Sequence, residues 1–141
     1  MQGGVTLMDL IMQNKQYQRH GLKKKAGLKK RSKTEIIYVI DSDTPDHLDV
    51  SPKQIYTQNS QDGILGYKDH YIITLDGKVH KGRDCESLGF DVENNAMTIL
   101  LIGRNNFTKH QEDGLKKLLK ELKEKYKNAK VCDLTSHEKN E

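Results

Sequence analysis

The sequence predicts one small α/β domain carrying a basic N-terminal arm. Three observations lead there. Short apolar runs alternate with segments of helical spacing between residues 34 and 135. An Asp-Gly pair separates two of the runs, as a hairpin turn does. Nine basic residues crowd between Lys15 and Lys33 with no acid among them.

The chain has 141 residues, 34% hydrophobic and 31% charged, with no Trp and two Pro. That supports a modest core under a solvated surface. Nothing approaches the roughly 20 apolar residues of a membrane span. The first residues lack a basic stretch followed by an apolar run, so no signal peptide is expected. Cys85 and Cys132 are expected as a reduced intracellular thiol pair, with a disulfide between them as the alternative. The net charge of +4 comes from the arm, and the rest of the chain is slightly acidic.

Residues 6–20 suit a short helix, capped by Thr6, with Leu7, Leu10 and Ile11 on one face and Gly21 as its stop. Residues 21–33 then read either as a solvated linker or as an arm that docks on an acidic partner or nucleic acid. Ile36–Ile40 is a continuous apolar run, as in a strand buried on both faces, and residues 41–46 end it in a polar loop. Ser51-Pro52 opens a helix with Pro at its first position. His70–Leu75 and Lys78–Lys81 are strands joined by a tight Asp76-Gly77 turn. Ala96–Ile102 is the most apolar run and the expected central strand, ended by Gly103. Thr108 and Gln111 form a capping box for a helix whose Leu115, Leu118, Leu119 and Leu122 share a face. Asn128 closes that helix, and residues 129–132 are a last strand. The expected divisions are an arm at 1–33, a domain at 34–135 and a polar tail at 136–141.

The stretch Gly66–Asp84, GYKDHYIITLDGKVHKGRD, resembles the hairpin of type 2 N-acetylmuramoyl-L-alanine amidases. That family includes phage-lysozyme amidases and the animal peptidoglycan recognition proteins. Asn95–Gly103 is similar to the family's central strand, and Lys125-Tyr126 fits the approach to its last one. The resemblance covers about 100 residues. It implies an amidase-like α/β domain, a central mixed β-sheet flanked by helices.

The resemblance also implies one zinc ion held by two His and a Cys or Asp, with an activated water in the fourth position. The matching positions here are altered. The first ligand position falls on Ile40 or Asp41, and a loop-starting Asp more often caps local backbone. The second falls on Val131 by alignment through Asp133-Leu134-Thr135, or on Leu134 by an ungapped count. The chain has no residues where the third would follow, and Cys132 lies on the wrong side of the motif. The hairpin Tyr position falls on Asp69, or on Tyr67 with a two-residue insertion, and Leu88 takes the place of a substrate-side His. His20, His47, His70, His80, His110 and His137 are scattered, with no i, i+4 pair. No Ser-His-Asp order, P-loop or dinucleotide fingerprint appears.

These positions lead to the expectation of a catalytically inactive, amidase-like structural or adaptor component of a phage particle or related assembly, with no metal and no cofactor. The alternatives are a non-catalytic peptidoglycan-binding module and an active zinc amidase. The degenerate positions are Asp41, Tyr67, Asp69, Leu88, Val131 and Asp133. Leu7, Leu10, Ile11, Arg19, Lys23, Lys24, Lys25, Lys29, Lys30 and Arg31 are expected to fasten the arm to protein partners. An acidic surface, nucleic acid and peptidoglycan are further expected partners, a membrane is not, and the expected location is the virion or host cytoplasm.

Overall fold

The computed structural model describes residues 29–135. Seven elements follow one another: β1 (Ile36–Asp41), α1 (Pro52–Gln61), β2 (Tyr71–Ile73), β3 (Val79–Lys81), β4 (Ala96–Leu101), α2 (Lys109–Lys125) and β5 (Lys130–Asp133). The strands make one sheet in the order β3-β2-β4-β1-β5. β2, β4, β1 and β5 run parallel, and β3 returns antiparallel at the edge. This is the mixed sheet the resemblance implies.

β4 is buried along its whole length, which accounts for its unbroken apolar run. Its register with β1 sets Tyr38 beside Thr98 and Ile40 beside Leu100. Ile37, Val39, Ile73, Met97, Ile99 and Leu101 form one core layer, which Leu118 and Leu122 of α2 cover. Ile72, Leu100 and Ile102 form a second layer with Val50, against which Ile55 of α1 packs.

Both helices begin with the capping boxes their sequences encode. Ser51 Oγ accepts from Gln54 N at 3.2 Å, and Gln54 Oε1 accepts from Ser51 N at 2.8 Å. At α2, Thr108 Oγ1 accepts from Gln111 N at 3.0 Å, and Gln111 Oε1 accepts from Thr108 N at 2.9 Å. Gln111 is fully buried and does more than cap. Its Nε2 donates to Ile102 O at 2.8 Å and to Ile73 O at 3.3 Å, tying α2 to the ends of β4 and β2. Thr108 Oγ1 adds a bond to Leu75 O at 2.7 Å.

The turn after β2 is wider than a two-residue hairpin. Thr74 N donates to Lys78 O at 3.2 Å, and Asp76 Oδ1 accepts from Thr74 Oγ1 and Lys78 N. These side-chain bonds take over from the ladder, so the strands stop at Ile73 and start again at Val79. Gly77 there has φ +83°, and its carbonyl lies against Gly114 of α2.

The basic arm needs one correction. Arg31 does not belong to it, because the compact unit opens at Arg31. Its guanidinium donates to Ser87 O at 2.6 Å, Cys85 O at 2.7 Å and Thr34 Oγ1 at 2.6 Å, and it lies over the Tyr126 ring. A guanidinium has five donors and fits several carbonyls at once, which charge counting along a sequence does not register. Lys29 and Lys30 are exposed. Leu7, Leu10, Ile11, Arg19, Lys23, Lys24, Lys25 and the 136–141 tail lie outside the described residues.

The contact between α2 and the hairpin turn yields a prediction. A Cβ at Gly114 would run into the Gly77 carbonyl oxygen. Alanine is the better helix former by about 1 kcal/mol, yet Gly114→Ala is expected to destabilise the domain by about 1–3 kcal/mol in denaturant unfolding. An unchanged or raised midpoint would show that helix and turn separate at no cost.

Candidate functional site

α1 is ten residues long and covers only part of its face of the sheet. The uncovered part is the floor of a groove of about 390 Å³. β1 supplies Tyr38 and Ile40, and β4 supplies Thr98 beside them. Lys68 and Asp69 enter from the segment before β2, Phe90–Glu93 from the loop before β4, and Leu134 from the end of β5. Ile40, Phe90, Val92 and Leu134 give the groove apolar walls, with Phe90 and Leu134 open to solvent.

The loop that carries Phe90–Glu93 is pinned from several sides. The Tyr38 hydroxyl donates to both Glu93 oxygens, at 2.8 and 2.9 Å. That bond, ahead of desolvation, raises the Tyr38 pKa. Arg83 Nε donates to Leu88 O at 2.8 Å, and its Nη1 donates to Tyr67 O at 3.0 Å. Arg31 holds the carbonyls of Cys85 and Ser87 from the other side.

His70 lies behind the floor and is fully buried. Its Nδ1 accepts from Thr98 N at 3.1 Å, so the ring proton sits on Nε2 and is donated to Ser87 O at 3.0 Å. A second ring proton would break the bond to Thr98. Burial first, with the positive charges of Arg31 and Arg83 adding to it, pushes the imidazole down to about 4. Asp69, the preceding residue, is also buried, and burial raises its carboxyl above the usual range. The Thr98 hydroxyl and the charges of Lys68 and Arg83 oppose that rise.

Of the six site positions expected from sequence, the groove takes in Asp69 alone. Asp41 Oδ1 accepts from Asp43 N at 3.0 Å, the loop-capping role. Tyr67 packs edge-on against Tyr56 with ring centroids 5.1 Å apart, joining the α1 layer. Leu88 offers its carbonyl to Arg83. Val131 is exposed on β5 opposite Ile37. Asp133 Oδ1 accepts from both Thr135 N and Thr135 Oγ1. Ile40 and Leu134, the alternatives weighed for the first and second positions, do line the groove. Thr98, Phe90, Asp91 and Glu93 were missed. The signal for Thr98 was a hydroxyl inside the most apolar run of the chain.

Among the described residues, no three His, Cys, Asp or Glu side chains come together as a metal site. The groove's donors are the carboxylates of Asp69, Asp91 and Glu93 and the Tyr38 phenol. Without an imidazole or thiol among them, they do not fit the ligand set the family uses for zinc. Cys85 and Cys132 form no disulfide. No described helix is long and apolar enough to cross a membrane.

A mixed sheet with a helix on each face and a groove beside the shorter helix defines the amidase and peptidoglycan-recognition fold. Solved structures agree. The endolysin and N-acetylmuramoyl-L-alanine amidase LysCS from Clostridium intestinale superposes with a TM-score of 0.68 at 22% identity, covering 81% of this chain and 75% of that one. The Ph2119 endolysin of a Thermus scotoductus bacteriophage gives 0.67 at 19% identity, over 79% and 77%. Drosophila peptidoglycan recognition protein SD gives 0.64 at 18% identity, over 77% and 73%. No protein-family model matches the chain. In sequence, the endolysin of Klebsiella phage KP32 is 33% identical over 111 residues, 71% of this chain and 74% of that protein. The endolysin of Escherichia phage T7 is 31% identical over 112 residues, 72% and 74%. The chain belongs to the N-acetylmuramoyl-L-alanine amidase family, with phage endolysins as its sequence relatives.

These relatives overturn the expectation of an inactive structural or adaptor component, and with it the placement in a virion. That expectation rested on the altered ligand positions alone. The likeness to lytic proteins instead spans about three quarters of the chain.

The buried imidazole makes stability depend on pH. Its folded value lies below its unfolded one near 6.5, so the unfolded chain takes up the proton first. The contribution is intact above pH 6.5 and is lost as pH falls toward 4, approaching roughly 3 kcal/mol. Asp69 acts in the opposite sense, because its raised carboxyl relieves a burial cost on protonation, from above 3.8. The melting temperature is therefore expected to fall between pH 6.5 and 5, with the His70 ring resonances flat in NMR over that range. A His70 titration midpoint near 6.5 would contradict the buried, bonded imidazole.

Proposed function

We propose that this chain is a peptidoglycan-directed endolysin: it takes a muropeptide in the groove and addresses the amide between the sugar and its stem peptide. The observation that carries this reading is the likeness to phage endolysins over 71–72% of this chain and 74% of theirs. The groove supports it. Its volume of about 390 Å³ is within the range of small-ligand sites, and apolar walls over a few placed polar groups suit a sugar joined to a short peptide. Phe90 and Leu134 offer apolar surface at the rim, while Tyr38, Asp69 and Thr98 offer polar atoms to fix orientation.

A second reading, capture of peptidoglycan without cleavage, is favoured by one observation. The described lining of the groove includes no imidazole or thiol, and the apolar Ile40 and Leu134 stand among its walls. Both readings place the same ligand in the same groove and differ in whether a bond is broken.

Purified sacculi incubated with the protein, with and without added zinc, separate them. The endolysin reading expects co-pelleting, release of stem peptides and new alanine amino ends. Co-pelleting with no new amino ends leaves capture. Failure to pellet contradicts both. Leu134→Arg, at a position 47% exposed, is expected to block the groove and abolish pelleting while leaving circular dichroism unchanged.

A further inference from the structure

One stretch of chain holds the loop that forms a wall of the groove. The loop spans residues 85–95 and carries Phe90, Asp91, Val92 and Glu93 into the groove. The stretch spans residues 31–38, from the opening of the compact unit into β1. It meets the loop at both ends. At the near end Arg31 N donates to Glu86 O at 2.7 Å, and the guanidinium takes the carbonyls of Cys85 and Ser87 on either side. At the far end Glu35 N donates to Asn95 O at 2.8 Å, Asn95 Nδ2 donates to Glu35 Oε1 at 2.9 Å, and Tyr38 donates to Glu93.

The arch between these ends is tightly folded. A Cβ at Gly89 would run into Val92 Cγ2. Asp91 sits in the left-handed region at φ +54°, a conformation that persists only where the surroundings enforce it. The arch therefore takes its shape from its two fastened ends.

The near fastening does not have the form of a stabilising charge pair. Arg31 is 9% exposed, and its guanidinium bonds carbonyls and the Thr34 hydroxyl and lies over the Tyr126 ring, all neutral groups. A buried charge bonded to neutral partners bears a desolvation cost that no opposite charge offsets. What the guanidinium adds is geometry, because a planar fork fixes two carbonyls and an aromatic face at once. The end of α2 completes the clasp. Lys125 also lies over the Tyr126 ring, at 5.3 Å, and reaches Glu86 at 4.0 Å.

We propose that Arg31 is a positioning residue for the groove. It stands outside the lining and sets the place of Phe90–Glu93 through the loop it grips. Its effect on muropeptide rests on the reading of the groove given above, whereas its hold on the loop does not.

The test uses full-chain Arg31→Ala and Arg31→Lys at a temperature where circular dichroism shows both folded. Backbone amide shifts report on the loop, and calorimetry with a muropeptide reports on the groove. Both variants are expected to move the amides of residues 86–93 and to weaken muropeptide binding about tenfold, because a wall that is no longer preset must be ordered on binding. Millimolar guanidinium is expected to restore the loop shifts and the affinity of Arg31→Ala, and ammonium at the same concentration is not. A merely structural arginine would lower the melting temperature and leave the affinity of the folded protein unchanged. Loop amides unmoved in both variants overturn the proposal, as do moved amides with full affinity, or equal rescue by ammonium. If the unmodified protein binds no muropeptide, the reading of the groove fails, and the loop amides with and without guanidinium decide the role of Arg31. If Arg31→Ala does not fold, Arg31→Lys decides it by the same two readouts.

Discussion

The neutral imidazole of His70 is the bond on which the groove depends. It joins β4 to the loop ahead of it, accepting from Thr98 N and donating to Ser87 O. Ser87 O also accepts from Arg31, which reaches Cys85 O in the same grip. One uncharged ring and one guanidinium thus hold the segment that leads to Phe90 and Glu93. The same ring fixes the strand position of Thr98, and Asp69 directly precedes His70 in the chain. If the ring took up a proton, the ladder contact and the loop anchor would be lost together.

A second constraint is the length of α1. Ile55 of α1 packs on the layer of Ile72, Leu100 and Ile102, while Tyr38, Ile40 and Thr98 line the groove. α1 ends at Gln61, and the groove lies on the same face of the sheet. On the other face α2 is long, amphipathic and stitched down through Gln111, so the sheet is stable enough to carry an open side. Burying Asp69 in that open side works against stability, a common feature of binding sites.

The fold was legible where its determinants are local. Both capping boxes involve residues three apart, and the central strand announces itself by an apolar run that only double-sided burial explains. β5 was legible by order alone, since all four of its residues are exposed and carry no burial pattern. The groove was less legible. Its lining comes from five separate segments, and no spacing rule links Ile40, Asp69, Phe90, Thr98 and Leu134 before the sheet assembles. Arg31 was misread because a charge run shows no geometry, and the carbonyls it grips, those of Cys85 and Ser87, lie more than fifty residues away. The reading of function failed for a different reason. Altered metal positions were taken to mean a changed role, whereas the likeness to phage endolysins spans most of the chain.

The account stands on the groove being the ligand site of a peptidoglycan-directed protein. Backbone amide shifts, followed by NMR as a muropeptide is added to the full chain, test this most directly. The account predicts saturable shifts at Asp69, Thr98, Phe90–Glu93 and Leu134, with little change along the outer face of α2. Shifts that gather elsewhere, or none at saturating ligand, would contradict it.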